Sequence, residues 1–420
     1  MSAIFRVELI VSLFSFLIFY TQSLAQTSLF KNVSVEVDSS SINNAGNSDV
    51  DVCVKLDEKS KYGFSIGVAQ AADNGGVTGT FSAHVRNPIF GYGERLDVAL
   101  TTDHNVTSPV LKTVSVKLND LRPCVKSNSS FSVGVFADII DKSDLSSFKA
   151  RAEGATLGWT SGSRRHQVEY QAAFRQIAPI SSSAAIVSEG LVPAFKSAVR
   201  YNYRLDQRLP SAIAPTSGYL LNARLETSGL GGDVAVARAE VLAQQHFAIT
   251  PLISLGLTAR AGVAQPWSNI VALARQKAQG VAPTGSFASV PVLDRFFQNT
   301  LFVRGVSPRD IGPKADKDVL GGDLYTAFTA SLSTAIPRYE GVPIRPHVFA
   351  NAGNLVSFTD YLNGPRESKC PLANSTVASA GFGVVLPTAL GRIEFNMASP
   401  LNRDGSIGKL GFALGASMEW

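Results

Sequence analysis

From Tyr62 onward, apolar residues alternate with polar or small ones at a period of two. Tyr62, Phe64, Ile66 and Val68 alternate with Gly63, Ser65, Gly67 and Ala69. Phe81, Ala83 and Val85 alternate with Thr80, Ser82 and His84, and Leu96, Val98 and Leu100 with Arg95, Asp97 and Thr101. Successive strand side chains point to opposite faces, so this period marks strands with one apolar face. Further runs lie at 109–118, 131–139, 148–160, 166–176, 197–205, 218–227, 234–244, 252–263, 324–335, 344–355, 375–386, 391–399 and 409–420. The total is about sixteen strands, many of them about ten residues long, the length of tilted strands that cross a bilayer. Soluble sandwiches use shorter strands, typically about five or six residues. An even number of antiparallel strands can close on itself and leave no unpaired edge in lipid. The pattern therefore predicts an all-β chain, a 16-stranded antiparallel transmembrane β-barrel over 62–420.

Three stretches depart from this pattern. The connection at about 264–323 is far longer than a hairpin, and Asn269–Gln279 within it has the look of a short helix. Loops of that length in compact folds are usually functional. In 27–61, Val33, Val35 and Val37, then Val50, Val52, Val54 and Leu56, form two short alternating strands around a Ser/Asn-rich turn, too little to bury a core alone. Ahead of these, Arg6, the uncharged stretch Leu9–Tyr20 and Ser23-Leu24-Ala25-Gln26 resemble a secretory signal. Residues 1–26 read equally as an N-terminal anchor or as a stretch extraneous to the functional protein, and Glu8 weakens the signal reading.

Composition agrees with dispersed apolarity. Hydrophobic residues make up 45% and charged residues 17%, and mean hydropathy is +0.12. Downstream of the N-terminus no uncharged apolar run approaches the ~20 residues of a membrane helix. The net charge of +5 includes no basic block, which argues against a nucleic-acid partner. Cys53, Cys124 and Cys370 are far apart and odd in number, and the five histidines are scattered, so neither disulfide nor metal spacing is present. No cofactor motif and no catalytic residue stands out. Ser161-Gly162-Ser163 with His166 lies in a turn without an oriented carboxylate, and the chain is not expected to be an enzyme.

The candidate site lies in the long connection, LFVRGVSPRDIGPKADKDVLGGDL over 301–324. Arg304 stands between Val303 and Gly305, a permanently charged fork in apolar surroundings. Such an arginine needs fixed polar partners, because an unpaired buried charge is costly. This points to a loop tucked inside a hollow body.

The string Val303-Arg304-Gly305, then Ile311-Gly312-Pro313, Leu320-Gly321-Gly322-Asp323, Phe349-Ala350-Asn351-Ala352-Gly353-Asn354-Leu355 and Arg392-Ile393-Glu394-Phe395-Asn396 with Pro400 occur in that order. This succession, with Arg86-Asn87, Phe90-Gly91 and Gly93-Glu94 upstream, resembles the BamA-like or bacterial surface antigen superfamily, in its mitochondrial sorting and assembly machinery branch. The resemblance covers about 58–420. It implies a barrel that inserts β-barrel precursors into the mitochondrial outer membrane, with the loop between strands eleven and twelve lying in the lumen. Unfolded precursors, outer-membrane lipid and peripheral subunits of the machinery are the implied partners. A bacterial outer membrane is the alternative location, and a passive solute pore or a secretion channel of the same superfamily are the alternative functions.

The resemblance also implies a wall that anchors the loop: Gly321, Gly322, Asp323, Ser331, Asn351, Gly353 and Glu394. Asn351 stands where bacterial relatives carry aspartate, and Ser331 where glutamate is expected, so Arg304 has neutral hydrogen bonds, Glu394 or Asp323 as its expected partners. Relatives carry a POTRA module before the barrel, and 27–61 has room only for its last strands. The first strand, with Tyr62, Gly63, Phe64, Ser65 and Gly67, and the last, with Gly411, Leu414, Gly415, Met418 and Trp420, are both rich in small residues. They are expected to pair weakly and to form a lateral gate at which an incoming strand adds by β-augmentation. Small residues that merely relieve crowding at closure are the other reading. The last strand also resembles the family's targeting signal through Gly415, Met418 and Trp420, with Ala413 at its polar position, or in a frame of Lys409, Gly411, Leu414 and Ala416.

Overall fold

The computed structural model describes residues 2–7, 30–42, 48–58, 60–70, 77–89, 94–105, 108–121, 129–180, 186–187, 192–211, 214–279, 288–297, 303–335, 344–358, 361, 375–388, 391–401 and 411–417. Residues 8–29, Met418 and Trp420, on which part of the sequence reading rests, lie outside them. Strands β1 (Ser2–Val7), β2 (Phe30–Ile42) and β3 (Ser48–Glu58) form a small antiparallel sheet with β3 in the middle. The first residues are thus a strand, with Arg6 opposite Asp51.

The main sheet opens with β4 (Tyr62–Gln70), β5 (Val77–Arg86), β6 (Arg95–Asn105), β7 (Ser108–Leu121), β8 (Ser130–Asp141) and β9 (Phe148–Thr160). It continues through β10 (His166–Pro179), β11 (Ala194–Asp206), β12 (Gly218–Ser228), β13 (Val236–Ala248) and β14 (Ile253–Pro266). Among the described residues, the strands of the long connection are the two-residue β15 (Lys314–Ala315) and β16 (Asp318–Val319). The sheet resumes with β17 (Leu324–Thr334), β18 (Arg345–Val356), β19 (Val377–Thr388), β20 (Gly391–Leu401) and β21 (Gly411–Ser417). Among the described residues this is one 16-stranded antiparallel sheet in sequence order, interrupted only where β14 pairs directly with β17. Its two ends, β4 and β21, come back to within 8 Å of each other at Cα, so the sheet is rolled into a barrel.

The period of two sets inside and outside. On β18, His347, Phe349, Asn351, Gly353 and Leu355 are buried, while Val348 and Ala350 between them are exposed. On β20, Glu394, Asn396 and Ala398 are buried and Phe395 and Met397 exposed. The exposed set includes Phe64, Val135, Leu157, Phe174, Leu225, Phe328, Val348 and Phe382. Large apolar residues outside and polar ones inside invert a soluble protein, as lipid surroundings demand.

The loop between β14 and β17 packs on the inner wall. Its helix α2 (Trp267–Ala278) matches the predicted one within two residues; the four-residue helix Ser143–Ser146 in the β8–β9 connection is α1. Val290, Phe296, Val303, Val306 and Ile311 of the loop form one core with Ala264, Tyr325 and Leu355 of the wall. Burying each such side chain contributes about 1.5–3 kcal/mol.

Candidate functional site

Arg304 is held by two strands of the wall. Its Nη2 donates to Glu394 Oε2 on β20 at 2.9 Å, and Nη1 lies 3.5 Å from Asn351 Oδ1 on β18. The guanidinium also lies over the Phe349 ring, 4.9 Å from its centre. A planar fork suits this arrangement, because its donors point in fixed and divergent directions. The wall residues hold one another as well. Asn351 Nδ2 donates to Ser379 Oγ at 2.8 Å, Thr329 Oγ1 donates to Asn351 Oδ1 at 3.3 Å, and Asn396 Nδ2 donates to Glu394 Oε2 at 3.1 Å. The Ser379 hydroxyl then donates to the Arg304 carbonyl, so backbone and side chain of one residue are both tied.

Glycines let the loop approach this closely. Gly305 has φ +78°, and a Cβ there would stand 2.5 Å from the Ala398 Cβ on β20. A Cβ on Gly353 would stand 2.8 Å from a methyl of Val303, which is fully buried. Gly312 and Gly321 take positive φ in the turns that bring the loop back, and Gly322 pairs with Phe296 as an isolated bridge.

Of the partners expected for Arg304, the structure selects Glu394 and Asn351. Asp323 is buried elsewhere and accepts from the Phe358 backbone N–H. Ser331 faces inward on β17, but its hydroxyl donates to the Gly256 carbonyl at 3.4 Å. The position corresponding to the missing glutamate therefore takes no part in holding the arginine.

A second anchor carries no mark in the sequence. Asp294, in a 3-10 turn of the loop, is 2% exposed and accepts from Arg175 Nη1 and Nη2 on β10 at 3.1 and 2.8 Å. Lys196 Nζ on β11 donates to the same carboxylate at 2.6 Å and to Glu226 on β12 at 2.5 Å. Arg200 extends this network to Glu226 and Glu169, both at 3.0 Å. Burial opposes the charge on Asp294, but the two cations outweigh it and hold the carboxyl below its usual pKa. In sequence Asp294 is one acid beside Arg295 in an irregular stretch; only the fold sets it against Arg175 and Lys196. The hairpin β15–β16 adds a third contact, with Ser147 Oγ donating to Asp318 Oδ1 at 2.7 Å just past α1.

At the seam, β4 and β21 are neighbours that share no hydrogen-bonded ladder among the described residues, whereas β21 pairs with β20 from Gly411↔Ala398 to Ser417↔Arg392. Gly415 is the register partner of Glu394 and Leu414 that of Phe395. On β4, Phe64 is 73% exposed and stacks on Phe81, and Ser65 meets Ser82 at 2.5 Å between hydroxyls. Tyr62 pairs with Val85, Gly67 with Thr80, and Gly63 lies against the His84 ring. His166 of the Ser-Gly-Ser turn bonds Tyr201.

The Omp85 superfamily domain matches residues 81–420. A SAM50-like protein of Schizosaccharomyces pombe is 27% identical over 95% of this chain and 81% of its own length. The sorting and assembly machinery component 50 homolog B of Xenopus laevis is 25% identical over 90% of this chain and 77% of its own. Among solved structures, BamA from Haemophilus ducreyi lacking POTRA domains 1–3 superposes with a TM-score of 0.70 at 14% identity, covering 96% of this chain and 79% of that one. CdiB from Acinetobacter baumannii reaches 0.51, also at 14% identity, over 94% and 66%. An antiparallel sheet of sixteen strands rolled until its ends meet, an arginine-anchored lumen loop and a family match over most of the sequence lead to one conclusion: the chain belongs to the Omp85 superfamily, as a SAM50-like outer-membrane β-barrel.

Proposed function

We propose that this barrel inserts β-barrel precursors into the mitochondrial outer membrane through the seam between β4 and β21. The observation that carries the reading is the seam itself: among the described residues, two adjacent strands without a ladder, in a sheet otherwise paired strand by strand. Unpaired backbone groups in lipid are costly, and an incoming precursor strand satisfies them by β-augmentation. The energy comes from strand pairing and lipid burial in the substrate. The Arg304–Glu394 pair lies on β20, one strand from the seam, and so keeps β21 on a rigid neighbour while β4 parts from it. Unfolded precursors, outer-membrane lipid and peripheral subunits of a sorting and assembly machinery are the partners on this reading.

The test is a disulfide between cysteines placed at Ser65 and Gly415, with Cys53, Cys124 and Cys370 replaced. Import of a labelled barrel precursor into mitochondria is followed with the seam locked and after reduction. Slowed precursor release that reduction reverses supports the gate. Unchanged assembly with the seam locked rejects it and leaves a passive pore or a secretion channel.

A further inference from the structure

We propose that the outer wall of β11–β14 binds one glycerophospholipid, with an acyl chain in an apolar groove and an ester carbonyl on the side-chain amide of Gln265. The groove measures about 520 Å3 and lies beneath the start of α2. Val199, Leu225, Ala237, Ala239 and Val263 line it, all from the outward-facing set of their strands. The alanines make it concave and the larger residues form its sides.

Most of the lining is apolar, and Tyr201, Glu226, Thr227, Arg238 and Gln265 bring polar groups to it. Gln265 is 7% exposed, and its Nε2 has no hydrogen-bond partner among the described residues. Its orientation is fixed. Asn269 Nδ2 donates to Gln265 Oε1 at 3.2 Å, and Asn269 is itself locked by two bonds to the Ala288 backbone at 2.8 and 2.9 Å. The free end of the amide is therefore the donor, and a buried donor in apolar surroundings calls for an acceptor. Depth agrees with this. Trp267, 41% exposed with its indole N–H on Thr227 Oγ1 at 3.2 Å, closes the groove at the barrel rim, the level of an interfacial aromatic belt. Ester carbonyls of a bilayer lie at that boundary. A transmembrane helix of a partner would satisfy its own carbonyls internally and offer Gln265 no acceptor. An ester carbonyl can only accept, which matches the amide.

The experiment uses the full chain, delipidated in detergent, and native mass spectrometry. The probes are dioleoyl phosphatidylcholine and its diether analogue, which keeps the chains and headgroup and lacks the ester carbonyls. We expect one retained ester lipid, bound about fivefold to tenfold more tightly than the ether. Gln265→Leu should abolish that difference, and Ala239→Phe, which fills the groove, should weaken both probes. Heat-modifiable migration in gels serves as the folding control for both variants. Equal retention of ester and ether lipid by the unaltered chain overturns the proposal. So does retention unaffected by Ala239→Phe, or capture of a protein partner at Ala239 with no lipid retained.

Discussion

The side chains of Arg304 and Glu394 are 15% and 11% exposed, so neither can recover water when the other is removed. Arg304→Ala should lower stability by about 2–3 kcal/mol, read as a lower heat-modification midpoint, because it strands a largely buried carboxylate. Arg304→Lys should recover only part, since an ammonium reaches Glu394 or Asn351 but cannot span both in one plane. Gly305 is a stricter position. With φ +78° and a Cβ 2.5 Å from Ala398 Cβ, Gly305→Ala combines backbone strain with a clash against β20. We expect a loss of about 2 kcal/mol or more, and cleavage of the loop by added protease where the unaltered loop resists.

The loop behaves as an element fixed at several distant points, and Asp294 makes one of them testable by pH. Its folded pKa lies below the usual 3.8, so its contribution is complete above that value and is lost as pH falls through the lower folded pKa. A fluorophore at an exposed loop residue, Lys317→Cys, should keep constant anisotropy from neutral pH to about 5 and loosen below about 4. Asp294→Asn should be looser at neutral pH and lack that acid transition. Strands β4 to β14 and β17 to β21 were legible because one face of each is apolar, which leaves a period of two in the sequence. Arg304 was legible because Val303 and Gly305 mark a fork in tight surroundings. Its choice of Glu394 over Asp323 was not, because Asp323 turns to the Phe358 N–H, a contact set by the loop's return path. Asp294, with Arg175 and Lys196 far off in sequence, carried no local mark at all.

Over the whole molecule, the inverted surface makes lipid the solvent of Phe328, Val348 and Phe382. Phe382→Arg should cost about 2–4 kcal/mol in urea-driven refolding into bilayers if it lies near the midplane, more than a surface change in a soluble protein. A ring of strands joined only to their neighbours can change its cross-section by small rotations at each ladder, much as a hinged frame shears. Here the loop leaves the wall at β14, grips β10 and β11 through Asp294, crosses to β18 and β20 through Arg304, and rejoins at β17. It is a diagonal brace. A braced frame leaves its shear to the strands outside the brace, and in this barrel those include the seam between the first strand and the last.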